Sequence, residues 1–175
     1  MEVNMEVKFT QLVGKEDIYN YNMFFFTKKS KMMYFSYIVG FLSLGLGIYY
    51  LIKGEIPVGI ICILLFAYSV FLHRLFTKWQ IRKMIDRKTD IDNMTVFVEI
   101  DEEGFTYSNE EENTGNKLLW DNVLELYDYK NYWYIYYAPN RAVFVRKSDC
   151  PNVNSVETML KEKLSYRYKT VKARD

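Results

Sequence analysis

Two uninterrupted apolar runs dominate the first half of the chain. "MMYFSYIVGFLSLGLGIYYLI", from Met32 to Ile52, holds twenty-one residues without a charge, and "IPVGIICILLFAYSVFLH", Ile56 to His73, follows after three residues. A hydrocarbon core about 30 Å thick takes roughly 20 residues of helix. The first run meets that length, and the second reaches it if Arg74 snorkels outwards with His73 at the interface. A soluble core would have to bury both runs on every side, which 175 residues cannot do. The pattern therefore predicts a two-span transmembrane hairpin over 31–73. Its short connection, "KGE", makes the two helices antiparallel neighbours, and Pro57 falls in the first turn of the second helix, where it is tolerated.

Outside the hairpin the period changes. Val3, Met5, Val7 and Phe9 alternate with Asn4, Glu6 and Lys8, the signature of a half-buried strand. "KEDIYNYNMFFFTKK" reads as a short aromatic helix heading for the membrane surface, and "HRLFTKWQIRKMIDRK" as a helical continuation of the second span. From Met94 the alternation returns: Val96, Val98 and Ile100 against Thr95, Phe97 and Glu99. "FTYS", "KLLWDNVLELYDY", "YWYIYY" and "AVFVRK" follow, separated by turns and by the polar loop "NEEENTGN", which predicts five or six antiparallel strands at meander spacing. A final helix is expected with Asn154 as N-cap, Glu157 completing a capping box, and Val156, Leu160 and Leu164 as its apolar stripe.

The fold class is thus membrane α+β: a two-helix hairpin plus an antiparallel sheet capped by a C-terminal helix, the pleckstrin-homology-like (PH-like) architecture. The domain boundaries expected are 1–30 for a strand and short helix joining the cytoplasmic domain, 31–73 for the hairpin, 74–90 for a basic connector, 91–169 for the PH-like domain and 170–175 for a basic tail. A lone strand is unstable, so residues 3–10 are expected to join the sheet built from 94–145, making the cytoplasmic domain discontinuous.

Charge adds orientation. Residues 1–30 are neutral, 31–72 carry +1, 73–90 carry +4 and 91–175 carry −4, so a net charge of +1 conceals a basic collar and an acidic domain. Lys28, Lys29 and Lys31 precede the first span, and Arg74, Lys78, Arg82, Lys83, Arg87 and Lys88 follow the second, whereas the connection offers only Lys53. Basic residues stay on the cytoplasmic side, so both termini are expected there. Arg74, Lys78, Arg82 and Lys83 are candidate lipid-headgroup contacts, at about 1 kcal/mol per basic residue near an anionic surface. The acidic C-terminal domain argues against nucleic acid as a partner. "MEVNMEVKFT" lacks a basic stretch leading into an apolar one, so no cleaved signal peptide is expected.

Within the first span, Ser36, Gly40, Ser43 and Gly47 recur at spacings of four, three and four and form a small-residue seam, which lets helix backbones approach closely in lipid. Packing within the hairpin is the preferred reading of the seam, and a homo-oligomer interface the other. No Asp, Glu, Lys or Arg lies within either span, which argues against an ion pathway.

The order of these parts resembles the YcxB-like family of bacterial membrane proteins. The resemblance rests on the initial strand with "KEDIYNYNMFF", the hairpin and collar, "GFTYS...LLWDNVLELYDYKNYWYIYY" around Trp120, "AVFVRKSD", and the closing amphipathic helix. Where the family commonly has an isoleucine-proline-lysine step, this chain has Val145, Arg146 and Lys147. The resemblance implies a PH-like cytoplasmic domain on an inner-membrane hairpin and brings no catalytic residues.

Chemistry is sparse. His73 is the only histidine and stands at the membrane edge, which leaves a Ser-His-Asp or Cys-His mechanism without a base. Cys62 and Cys150 are too few for a disulfide framework or zinc site, and "GLGIYY" lies within a span, not after a strand. Asp101, Glu102 and Glu103, and Glu110, Glu111 and Glu112, lack calcium-loop spacing and read as solvated turns. The first sheet turn, "IDEEGF", is acidic where phosphoinositide-binding PH domains are basic, so no phosphoinositide site is expected. No enzyme activity, metal or cofactor is expected either. The one remaining feature is aromatic density. Tyr132, Tyr134 and Tyr136 line one face of a strand, and Trp133, Ile135 and Tyr137 the other. One face must be core, and the tyrosine face is a candidate partner surface unless the chain covers it. The function expected is a non-enzymatic interaction or regulatory module, with an immunity or envelope-stress protein against membrane-active peptides as the alternative. Partners are the bilayer and either another membrane protein or a second copy.

Overall fold

The structure, a computed structural model, describes residues 6–30, 32–87, 94–109 and 116–172. They divide into two compact units: Met1–Gly14 with Ile91–Asp175, and Lys15–Asp90.

The first unit holds two four-stranded sheets and a helix. Strand β1 (Val7–Val13) pairs antiparallel with β2 (Met94–Ile100), β2 with β3 (Gly104–Asn109), and β3 with β4 (Asn116–Leu119). The second sheet runs in the order β7 (Arg141–Arg146), β6 (Tyr132–Ala138), β5 (Glu125–Tyr129), β8 (Tyr168–Thr170). The expected simple meander is therefore two sheets, and β8 lies parallel to β5. Of the segment expected as a basic tail, 170–175, only Thr170 belongs to this strand. Residues 173–175, like Val3, Met5, Lys31, Lys88 and the loop 110–115, lie outside the described residues.

Strand β1 sits further along the chain than its alternation suggested, because the inward face continues from Val7 and Phe9 to Gln11 and Val13. Its register with β2 sets Val13 opposite Met94 and Val7 opposite Ile100. The two strands form a β-hairpin whose turn has been replaced by the whole second unit. Helix α5 spans Val153–Leu164 and buries Val156, Met159, Leu160 and Leu164. Its N-cap is Asn152, not Asn154. Asn152 adopts a left-handed conformation (φ 58°) that asparagine tolerates, and its carbonyl receives the Ser155 and Val156 N–H groups. Glu157, freed from any capping box, pairs with Lys161 at 2.6 Å.

The second unit is helical. Helix α1 (Lys15–Phe24) runs into a π turn at Phe25–Lys29, and α2 spans Met32–Ile52. After Gly54, whose φ of +84° suits the sharp reversal, α3 (Ile56–Ala67) passes through a second π turn (Tyr68–Leu72) into α4 (His73–Asp86). The helix that carries the second apolar run thus extends unbroken from Ile56 to Asp86, and this helix and α2 are both long and apolar enough to cross a membrane. Helix α1 packs on α4, and Phe24, Ile81 and Ile85 of these two helices are buried. Compactness therefore groups α1 with the hairpin, and the break falls at Gly14 and not near residue 30.

Candidate functional site

The seam residues lie where α2 meets α3 and its π turn. Gly40, Ser43 and Gly47 are the buried positions of α2 among its described side chains, and Ser36 is half-buried. A Cβ on Gly40 would stand 2.9 Å from the Ser69 Cβ, and one on Gly47 would meet Ile63 and Cys62 at 3.1 and 3.2 Å. Ser43 donates its hydroxyl to the Cys62 carbonyl at 2.7 Å. Gly59 faces Gly47 across the same line. The seam thus packs the hairpin against itself. Gly40→Leu is expected to cost on the order of 1–3 kcal/mol by overpacking, while Leu42→Ala, at a position 66% exposed, should be near neutral. Unfolding in a denaturing detergent titration would check this, and equal tolerance of both changes would refute the seam.

The tyrosine face is a different matter. Tyr134 and Tyr136 are 1% and 0% exposed and Tyr132 is half-buried, while Trp133 and Ile135 on the opposite face are fully buried. The expectation of a partner surface at Tyr132, Tyr134 and Tyr136 is corrected: the chain covers both faces. Tyr132 stacks on Tyr134 at 5.7 Å, and Tyr127 meets Tyr136 edge-on at 5.7 Å. Alternation allowed either face to be core, and both are.

Beside Trp133 lies a part-buried polar cluster that sequence reading missed. Lys147 pairs with Asp128 at 2.6 Å and lies over the Trp133 ring at 5.3 Å, and Tyr168 donates its hydroxyl to the other Asp128 oxygen at 2.8 Å. Burial, reinforced by the Asp128 carboxylate, pushes the Tyr168 phenol well up. The cluster ties β8 to β5 and to the turn after β7. Its members are 19 to 40 residues apart, so no local pattern announces it.

The acidic turn after β2 is paired as well as solvated. Asp101 accepts from the Glu103 and Gly104 N–H groups, both at 2.8 Å, and Lys117 binds Asp101 and Glu103 at 2.8 and 2.7 Å. Partial burial raises the Asp101 carboxyl, but Lys117 and these two N–H donors outweigh it and hold the group below its usual range. Trp120 locks this turn in place. Its indole N–H donates to the Asp101 carbonyl at 3.0 Å, and its backbone N–H to that of Glu103 at 3.1 Å. Arg167 donates to the carbonyls of Trp120 and Val123 at 2.9 and 2.8 Å.

This segment is YcxB-like: residues 100–162 match the family model described as YcxB-like protein. The match runs from the end of β2 into α5, so the YcxB-like segment contains the Trp120 anchor, the aromatic strand and Asp128. Among curated proteins and solved structures, nothing matches the chain.

The collar residues occupy α4. Arg74, Arg82 and Lys83 are exposed and Lys78 is half-buried. Arg82 lies over the Tyr19 ring at 5.2 Å and Lys83 over Trp79 at 4.6 Å. Arg74 stands apart from them, at the rim of a cleft of about 310 Å3 formed by α1, its π turn, the start of α2 and α4. Met23, Phe26, Met33, Ile81 and Met84 make its apolar wall. Asn22, Thr27 and Thr77 also line it, but each donates to a carbonyl of its own helical segment four residues back. His73, Arg74 and Gln80 complete the rim. Among the described residues, no hydrogen-bond or ion-pair partner meets the Arg74 guanidinium or the Gln80 amide.

Proposed function

We propose that this chain is a bacterial inner-membrane protein whose hairpin interrupts a PH-like cytoplasmic domain, and that the domain serves as a non-enzymatic interaction or regulatory module. The observation that carries the reading is the β1–β2 register. Strands on either side of the apolar hairpin form one β-hairpin, so the chain must leave and re-enter the sheet at neighbouring points. A membrane segment between them must cross an even number of times, and two spans meet that condition. The outward-facing apolar surface of α2 and α3 supports lipid as their surroundings, and the basic residues of the collar support a cytoplasmic location for the domain. Four strands, three more, and then a helix support the PH-like architecture, with β8 as an addition.

Cysteine labelling tests the topology. Cys150 is buried, which pushes its thiol up to about 11, and is a poor reporter. Tyr166, 87% exposed, is a better position. Lys53→Cys is expected to react with a membrane-impermeant maleimide on intact cells, and Tyr166→Cys only after the cells are permeabilised. Reaction of Tyr166→Cys from outside would overturn the orientation.

A further inference from the structure

We infer that residues 165–172 form an exchangeable strap, and that the edge of β5 with the corner before it is a docking groove for the same strap of a second copy of this chain. The exchange needs no membrane, since every group involved lies in the unit that holds the sheets. The break between core and strap is abrupt. Leu164 ends α5 fully buried, whereas no residue from Ser165 to Lys172 is buried. Burial of apolar surface, the dominant force on most elements, therefore contributes little to the strap.

Polar anchors hold it instead. A 3-10 turn over Ser165–Arg167 leads into β8, which pairs with β5 from Tyr168 to Thr170. Arg167 donates to the carbonyls of Trp120 and Val123, Tyr168 to the Asp128 carboxylate, and the Val171 N–H to the Asp128 carbonyl at 2.9 Å. Lys169 pairs with Glu125 and lies over the Tyr127 ring at 5.4 Å. These partners all fall within residues 120–128. The groove thus presents carbonyls and two carboxylates, and the strap answers with arginine, tyrosine and lysine at consecutive positions. Nothing in that match depends on which copy supplies the strap. Ties to its own helix are fewer: the Ser165 N–H donates to the Lys161 carbonyl, and Lys161 lies over the Tyr168 ring at 5.6 Å. The hinge between helix and strap is Ser165, at φ 47° and ψ −118°. Glycine adopts that conformation freely, whereas a residue with a Cβ is strained in it. A short hinge under strain invites exchange of the element beyond it. In a reciprocal pair Ser165 relaxes, both grooves receive the same bonds as before, and the assembly closes at two copies.

Purified full chains carrying one added cysteine each, mixed and mildly oxidised, test the exchange. Tyr127 and Lys169 face each other in the β5–β8 register. Tyr127→Cys in one chain and Lys169→Cys in another should therefore join when the strap of one copy lies on β5 of the other. A two-chain species linked through positions 127 and 169, identified by peptide mass mapping, is expected. Glu162→Cys, an exposed change on α5, replaces Lys169→Cys as the collision control and should give little of it. Ser165→Gly, which takes a positive φ without strain, should lower the dimer association constant by about tenfold or more, and Ser165→Val, which resists it, should raise the constant. Tyr127→Cys and Lys169→Cys placed together in one chain report the seat of the strap. If they join within that chain while the mixed single variants do not join, each strap stays on its own copy and the inference is overturned. Failure of the double variant to join at all would remove the strap from β5 and overturn it too. So would equal association of Ser165→Gly and Ser165→Val, because hinge strain is the difference between the closed and exchanged forms.

Discussion

Residues 94–172 produced without the N-terminal strand are expected to lack a cooperative unfolding transition, and joining residues 6–14 to them through a short Asn-Gly-containing turn should restore one. Because Val13 is paired with Met94, a turn of a few residues can close the hairpin that the 80-residue insertion now spans. Loss of β1 would expose the edge of β2 and uncover Val96, Val98 and Ile100. Val7 and Val13 are each worth about 1.5–3 kcal/mol of burial. Gln11, 0% exposed, receives the Arg146 N–H at 2.7 Å and donates to the Phe144 carbonyl at 3.4 Å, linking the first sheet to β7 of the second. Those two backbone groups would lose partners, at about 1–3 kcal/mol for each left buried. The sum is comparable to the whole stability of an ordinary domain, about 5–15 kcal/mol. Circular dichroism against urea is the measurement. A cooperative transition in 94–172 alone, unchanged by the added strand, would show that β1 is dispensable.

Trp120→Ala should destabilise the same unit by about 3–5 kcal/mol, the usual range for deleting a buried aromatic side chain. Trp120→Phe should cost less, on the order of 1–2 kcal/mol, since it retains most of the volume and loses the bond to the Asp101 carbonyl. The residue sits at the corner between β4 and β5, where the chain passes from one sheet to the other. Its loss would loosen the β2–β3 turn and the carbonyls held by Arg167 together. The two variants separate packing from hydrogen bonding: equal losses would assign the role to the indole N–H, and a near-neutral alanine would remove the anchor altogether. Hydrogen exchange at Glu103 to Phe105, compared with that of α2, would show whether the damage stays within the unit.

The clearest elements in the sequence were those whose evidence is local. A charge-free run of helix-spanning length identifies the long apolar helices without reference to anything else in the chain. The i, i+4 stripe of Val156, Leu160 and Leu164 marks α5, and the spacing of Ser36, Gly40, Ser43 and Gly47 marks one helix face. Alternation at Val7 and Phe9, and again from Val96 to Ile100, announces strands. It also raised the need for a partner to β1, because a strand has unpaired backbone groups that only another chain segment can satisfy.

What the tertiary structure alone decided depends on which distant groups meet. Gln11 looks like the polar end of an alternating strand, yet it is buried because two backbone groups of β7 lie within reach. Tyr134 and Tyr136 could have been surface or core on alternation alone, since a strand apolar on both faces does not say how many of them are covered. β8 follows α5 in a segment that is too short and too basic to read as a strand, and it exists because β5 offers a free edge and Asp128 a bond to Tyr168. The cleft has no sequence signature at all. Its wall comes from three helical segments and its rim from ordinary polar residues, so only the packing of α1 on α4 brings a methionine surface and an unpaired Arg74 to the same place. Backbone period is a property of neighbours along the chain; burial, pairing and pocket shape are properties of neighbours in space.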